Sequence, residues 1–186
     1  MTSTDTTRLL VTGSRDVADR DLVRLALDAV TDAVLRPMRK PLTLVHGAAR
    51  GLDTLAAQEW AHGEIEVHPA QWDQHTPSCP DWDRGNRTCK LAGHRRNQQM
   101  LDAGADLCLA FPLHQQTARG KGTSRGTWNM ATLARAAGVP PLVVWGGAVL
   151  PFGQPAIDVL TREVDRGLFD FGPYQSIPLR FLILPF

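Results

Sequence analysis

Apolar runs and helical periodicities alternate along this chain. "RLLVTG" (8–13) reads as a buried strand ending at Gly13. "DRDLVRLALDAVTDAVL" (19–35) places Leu22, Leu25, Ala26, Ala29 and Val30 at helical spacing, with Asp19 and Asp21 suited to a helix start. "PLTLVHG" (41–47) predicts a second strand, "LDTLAAQEWAHG" (52–63) a helix stopped by Gly63, and "EIEVHPA" (64–70) a third, shorter strand. A polar insert rich in Pro, Cys, Trp and Asp follows, over 71–92. "GHRRNQQMLDAG" (93–104) is helical and stops at Gly104, and "ADLCLAFP" (105–112) is apolar enough for a strand buried on both faces. A Gly/Arg/Lys/Thr loop (113–126), a helix (127–138) and the strand "PPLVVWGG" (140–147) complete the pattern.

This order predicts an α/β fold, a mainly parallel sheet with helices on both faces. Residues 1–150 form the domain, and 151–186 a C-terminal extension with one helix (about 155–167) and one terminal extended segment (about 177–185). Thirty-six residues bury too little apolar surface for a second domain. Ligands of such sheets bind beyond the C-terminal strand ends. Those ends carry Gly13-Ser14-Arg15, His46 to Gly51, Phe111-Pro112 onward and Trp145-Gly146-Gly147, so most small and cationic residues share one rim.

Length and charge narrow the classes. The 186 residues suit one α/β domain, and the net charge of +1 argues against a non-specific nucleic-acid binder. No apolar run approaches a membrane span, and the polar start "MTSTDTTRLL" lacks a signal pattern, so a cytoplasmic protein is expected. Three cysteines do not make a secreted disulfide framework.

The strand-to-helix turns carry the candidate chemistry. A helix N-terminus presents unpaired N–H groups and partial positive charge, which makes an anion site where side chains leave the approach clear. Gly47, Ala48, Ala49 and Gly51 leave it clear, and Arg50 adds a bidentate cation. Gly13-Ser14-Arg15 and the run from Gly122 to Thr127, with Arg125, Gly126 and Thr127, repeat the logic. Three such turns on one rim point to a phosphorylated ligand. The alternative is that each glycine makes a tight turn and each arginine is solvated. Asp53 suits a ribose hydroxyl, or equally a first-turn carboxylate favoured by the helix dipole. Trp72 suits stacking on a base, or packing the loop on the sheet. His46 suits a ligand donor, or a satisfied turn histidine.

In order, "VTGSRDVADRD", "VHGAARGLDTLAAQEWA", "HPAQW", "GHRRNQQML", "ADLCLAFP" and "SRGTWNMATLARAAGVP" resemble the YspA-like branch of the SLOG superfamily, over about residues 8–146. That is a Rossmann-like group that includes the Lonely Guy nucleotide phosphoribohydrolases and the DprA DNA-processing proteins. The resemblance implies a nucleotide or ADP-ribose-like ligand on the rim, with Arg96 and Asn97 of "GHRRNQQML" joining the ligand-binding set. It also bears on catalysis. Arg96 and Met100 match the R-x-x-x-M segment of Lonely Guy enzymes, and Gly126 and Thr127 match their Gly-Gly-x-Gly-Thr-x-x-Glu turn. Met130, however, stands where their glutamate would be. N-glycosidic cleavage passes through an oxocarbenium-like state that a carboxylate stabilises, so the substitution favours binding without turnover. Asp16, Asp53, Asp73 or Asp83 are the substitutes available, and Arg96 and Asp53 are the catalytic candidates. The turn "GAARGLDTLAAQEWAHG" is also similar to DprA, which implies single-stranded DNA as a further alternative that the neutral charge disfavours.

Within the insert, His75, Cys79, Cys89 and His94 are spaced H-x3-C-x9-C-x4-H, and thiolate and imidazole suit zinc. The spacing matches no recognised finger, and the plainer reading is a solvated loop with free or buried thiols and His94 capping a helix. Cys108 reads as core. The apolar tail "IPLRFLILPF" suits either a cover for the chain's own sheet or an interface with a second subunit, and a homo-oligomer, foremost a dimer, is expected, with 52–62, 127–137 and the tail as contact surfaces.

Overall fold

The computed structural model describes residues 6–113, 124–145 and 148–152. The predicted C-terminal helix and extended segment, and the tail expected at a dimer interface, lie outside the described residues. Six strands form one sheet: β1 (Thr7–Gly13), β2 (Leu42–His46), β3 (Gly63–Val67), β4 (Leu107–Phe111), β5 (Pro141–Trp145) and β6 (Ala148–Pro151). Their order is β3-β2-β1-β4-β5-β6, parallel throughout except for the antiparallel β5–β6 pair. The helices are α1 (Arg20–Val30), α2 (Leu52–Glu59), α3 (Asp81–Arg84), α4 (Ala92–Asp102) and α5 (Arg125–Ala136).

Alternation along the strands sends residues to opposite faces, and the two faces have separate cores. Leu9, Val11, Leu44, Leu107 and Leu109 pack with Val23, Leu27, Leu52 and Ala56 of α1 and α2. Leu10, Val45 and Cys108 pack with Met100 and Leu101 of α4 and Met130 and Ala134 of α5. The chain leaves β1 toward the first face and β4 toward the second. Because β1 and β4 are neighbours, their C-terminal ends form the switch point where ligands of such sheets bind.

Several boundaries differ from those the sequence predicts. Helix α1 is capped by Asp19, whose side chain accepts from the Leu22 N–H at 2.9 Å. Its buried stripe is Val23, Ala26, Leu27 and Val30, and Leu25 is exposed. The predicted continuation to 35 forms a π-helical turn, Thr31–Leu35, then a 3-10 turn, Arg36–Met38. Helix α2 ends at Glu59, four residues before Gly63, because Trp60 turns extended and buries its ring in the core. Gly63 instead opens β3. A Cβ there would lie 2.0 Å from the Leu42 carbonyl oxygen, so glycine admits the edge strand against β2. The sequence reading places no strand at β6, which carries the sheet to Pro151 and brings Phe152 against Trp128, ring centroids 5.9 Å apart. Among the described residues no helix is long and apolar enough to cross a membrane.

Candidate functional site

The loops after β1 and β2 are knitted to each other at the switch-point rim. Ser14 N–H donates to the Phe111 carbonyl at 3.1 Å, and Leu52 N–H donates to the Ser14 carbonyl at 3.3 Å. A Cβ on Gly13 would sit 2.3 Å from Leu52 Cδ2, and one on Gly51 would sit 2.3 Å from the Arg15 carbonyl oxygen. Gly51 also has φ +77°, a left-handed conformation that favours glycine. These two glycines therefore make room for protein atoms. Among the described rim glycines, Gly126 alone has nothing within 4 Å of its would-be Cβ.

The turn after β2 spends its donors internally. Asp53, 4 % exposed, accepts with Oδ2 from the N–H groups of Gly47 and Ala49, each at 3.0 Å. Ala48 N–H donates to His46 Nδ1 at 3.2 Å. The free N–H cradle expected at 47–49 is thus filled by the chain's own carboxylate and imidazole. Asp53 lies in the first turn of α2, and its burial raises its carboxyl above the usual range despite the two N–H bonds.

Side-chain donors take the place of that cradle. Arg96, on α4, lays its guanidinium over Gly47: a Cβ there would lie 1.0 Å from Nη1. Its Nε donates to Asn97 Oδ1 at 3.1 Å, and its Nη1 is 3.6 Å from Asp53 Oδ2, an ion pair too long for a hydrogen bond. Nη1 is buried and has no hydrogen-bond partner. His46 Nε2 is in the same position. Because Nδ1 accepts from Ala48, the neutral ring carries its proton on Nε2. Burial lowers the His46 pKa, with Asp53 and Arg96 acting on it in opposite senses, which favours the neutral ring. Two buried donors, Nη1–H of Arg96 and Nε2–H of His46, make no hydrogen bond. A buried donor without an acceptor is costly, and such a group calls for a functional explanation.

The remaining predicted residues fall around this pair. Arg15 and Arg50 are exposed. The Arg15 guanidinium lies 5.6 Å from the Trp72 ring centroid, which brings the insert onto the rim. Asn97 is buried and bridges α4 to α5, donating to Asn129 Oδ1 at 3.1 Å and toward the Gly126 carbonyl at 3.5 Å. Thr127 is buried in the first turn of α5. Met130, at the glutamate position of the Lonely Guy turn, is fully buried in the core beneath α5. Cys108 is core, its thiol pushed up to about 12 by burial.

The insert's titratable residues form a separate cluster. Cys79 Sγ and Cys89 Sγ are 3.5 Å apart, and ligand atoms of His75, Cys79, Asp83 and Cys89 all lie within 4.8 Å of one another. His94 lies elsewhere, its Nδ1 3.0 Å from Asn129 Oδ1. Asp83 stands in its place, a residue that H/C spacing does not select.

The switch-point rim and sheet order define a Rossmann-like α/β protein. The model of the YspA, cpYpsA-related SLOG family matches residues 7–75, from β1 into the insert. The chain is 38 % identical over 141 residues to the Gene 61 protein of Mycobacterium phage D29, an alignment spanning 72 % of this chain and 92 % of that protein. The chain belongs to the YspA, cpYpsA-related SLOG family.

Proposed function

We propose that the chain binds a nucleotide or nucleotide-derived phosphorylated ligand, such as an ADP-ribose derivative, at the β1/β2 rim. The observation that carries this reading is the pair of buried donors, Arg96 Nη1 and His46 Nε2, that make no hydrogen bond within the protein. An anionic oxygen satisfies both, and a guanidinium held by Gly47 below and Asn97 beside it is already oriented to receive one. Arg15 and Arg50 supply exposed cations around the opening. Trp72, 40 % exposed, offers a ring on which a base can stack. Recognition in this scheme runs through side chains, since the N–H groups of 47–49 are spent within the turn.

The test is a thermal-shift panel on the intact chain with AMP, ADP, ADP-ribose, ribose 5-phosphate and unphosphorylated adenosine. A phosphorylated member should raise the melting temperature saturably, and adenosine should not. A ligand at 100 times its Kd contributes about 2.7 kcal/mol of apparent stability. Equal response to adenosine and AMP would remove the phosphate from the account.

A further inference from the structure

The segment between β3 and α4 has little regular structure beyond the four residues of α3. It nevertheless has its own small core, with Cys79, Cys89 and Ala92 buried and Ala70 and Leu91 packed against them. A polar segment of this length needs something to order it. We propose that His75, Cys79, Asp83 and Cys89 bind one zinc ion, or a thiophilic divalent cation of like size, as a structural centre of this segment.

The donor set and its spacing fit. Two thiolates, an imidazole and a carboxylate are zinc ligands, and tetrahedral zinc with Zn–S near 2.3 Å sets two sulfurs roughly 3.8 Å apart. Here the sulfurs are 3.5 Å apart, and Cys89 Sγ is 3.4 Å from Asp83 Oδ2. The imidazole is already in a ligand's tautomer. His75 Nε2 donates to the Asn86 carbonyl at 2.9 Å, which leaves the lone pair on Nδ1. Nδ1 is buried and makes no hydrogen bond. Such a pairing, with one ring nitrogen donating to a carbonyl and the lone pair of the other turned toward the cluster, is how a protein orients a metal-binding histidine.

The surroundings hold the other ligands in the same way. Asp83, fully buried, accepts from Asn86 Nδ2 at 3.0 Å with Oδ1 and from Lys90 N–H at 3.0 Å with Oδ2. Arg95 donates from Nη1 to both sulfurs at 3.1 Å. Two thiolates and one carboxylate, set against that one guanidinium, leave two negative charges, which a divalent cation cancels. The centre also reaches the rim: Cys89 N–H donates to the Trp72 carbonyl at 2.7 Å, so fixing Cys89 fixes the backbone that presents Trp72 to Arg15.

The experiment is elemental analysis of the intact, untagged chain purified without chelator, followed by cobalt(II) titration of the metal-stripped protein. About one zinc per chain is expected. Cobalt should give the intense visible bands of a tetrahedral site and a thiolate-to-cobalt charge-transfer band in the near ultraviolet. The Cys79→Ser/Cys89→Ser variant should lose the metal to background, and Asp83→Asn should bind it at least tenfold more weakly. His94→Ala should keep the full zinc content. Metal-free protein that also gives no tetrahedral cobalt spectrum overturns the proposal, whatever the variants do. So does an intact mass two hydrogens light with only one titratable thiol, which would make the sulfurs a disulfide.

Discussion

The Arg96 guanidinium occupies the volume that a side chain at position 47 would need, with Nη1 1.0 Å from the would-be Cβ. The obstacle is the far end of a flexible side chain, so Gly47→Ala is accommodated by moving Arg96. The folded state should lose little stability, while a phosphorylated ligand should lose the oriented guanidinium. We expect binding of ADP-ribose or AMP to weaken by about 1.5–3 kcal/mol, the scale of hydrogen bonds to charged groups. Calorimetric titration checks this, and unchanged affinity would separate Arg96 from the ligand.

Gly51→Ala should behave in the opposite way. Here the added Cβ meets backbone, the Arg15 carbonyl at 2.3 Å, at a residue with φ +77°. Neither can swing aside, so the loops after β1 and β2 must part. Such strain costs on the order of 1–3 kcal/mol, and chemical denaturation should show at least that loss. A variant as stable as the parent would mean that the two loops are not held together as described.

Arg50 is exposed and takes no part in the turn's internal hydrogen bonds. Arg50→Ala should therefore leave the unliganded melting temperature nearly unchanged. It should weaken phosphate-ligand binding by about 1.5–3 kcal/mol if its charge meets the phosphate directly. Equal titrations for variant and parent would place Arg50 on the solvated surface.

Acid should act through the edge of the sheet. The Arg8 guanidinium, 2.7 Å from Glu66 Oε1, holds the Glu66 carboxyl down at about 2 from an ordinary 4.5, and His68 adds to this. A depressed folded pKa contributes stability that is fully present above pH 4.5 and is lost as pH falls toward 2. Glu66→Gln should flatten that part of the stability profile, read from urea midpoints across the window. Solvent around the partly exposed pair keeps the effect small. Parallel profiles for parent and variant would contradict the coupling.

The existence of β1, β2, β4 and β5 was legible because they are mostly buried and read as largely apolar runs, whereas their order in the sheet was not predicted. Strand β6 had a signal too: "LVVW" and "AVLP" flank Gly146-Gly147, a spacing that suits a hairpin. The gathering of the turns on one rim was legible, but what fills those turns was not. Small residues at 13, 47 and 51 say that something comes close, and only the fold shows that Leu52, Arg96 and the Arg15 backbone do. Asp83 was hidden for a similar reason. Its closeness to Cys79 and Cys89 arises from α3, a turn too short to have a periodicity.

The most direct test of the rim is a calorimetric titration of ADP-ribose and AMP into the intact protein and into Arg96→Gln at neutral pH. Glutamine keeps a polar group near Asn97 while removing the charge and the Nη1 donor that makes no hydrogen bond. The account predicts saturable binding to the parent and at least a tenfold loss in the variant, with circular dichroism unchanged. Binding of equal strength to both proteins, or no binding of either nucleotide to the parent, would contradict it.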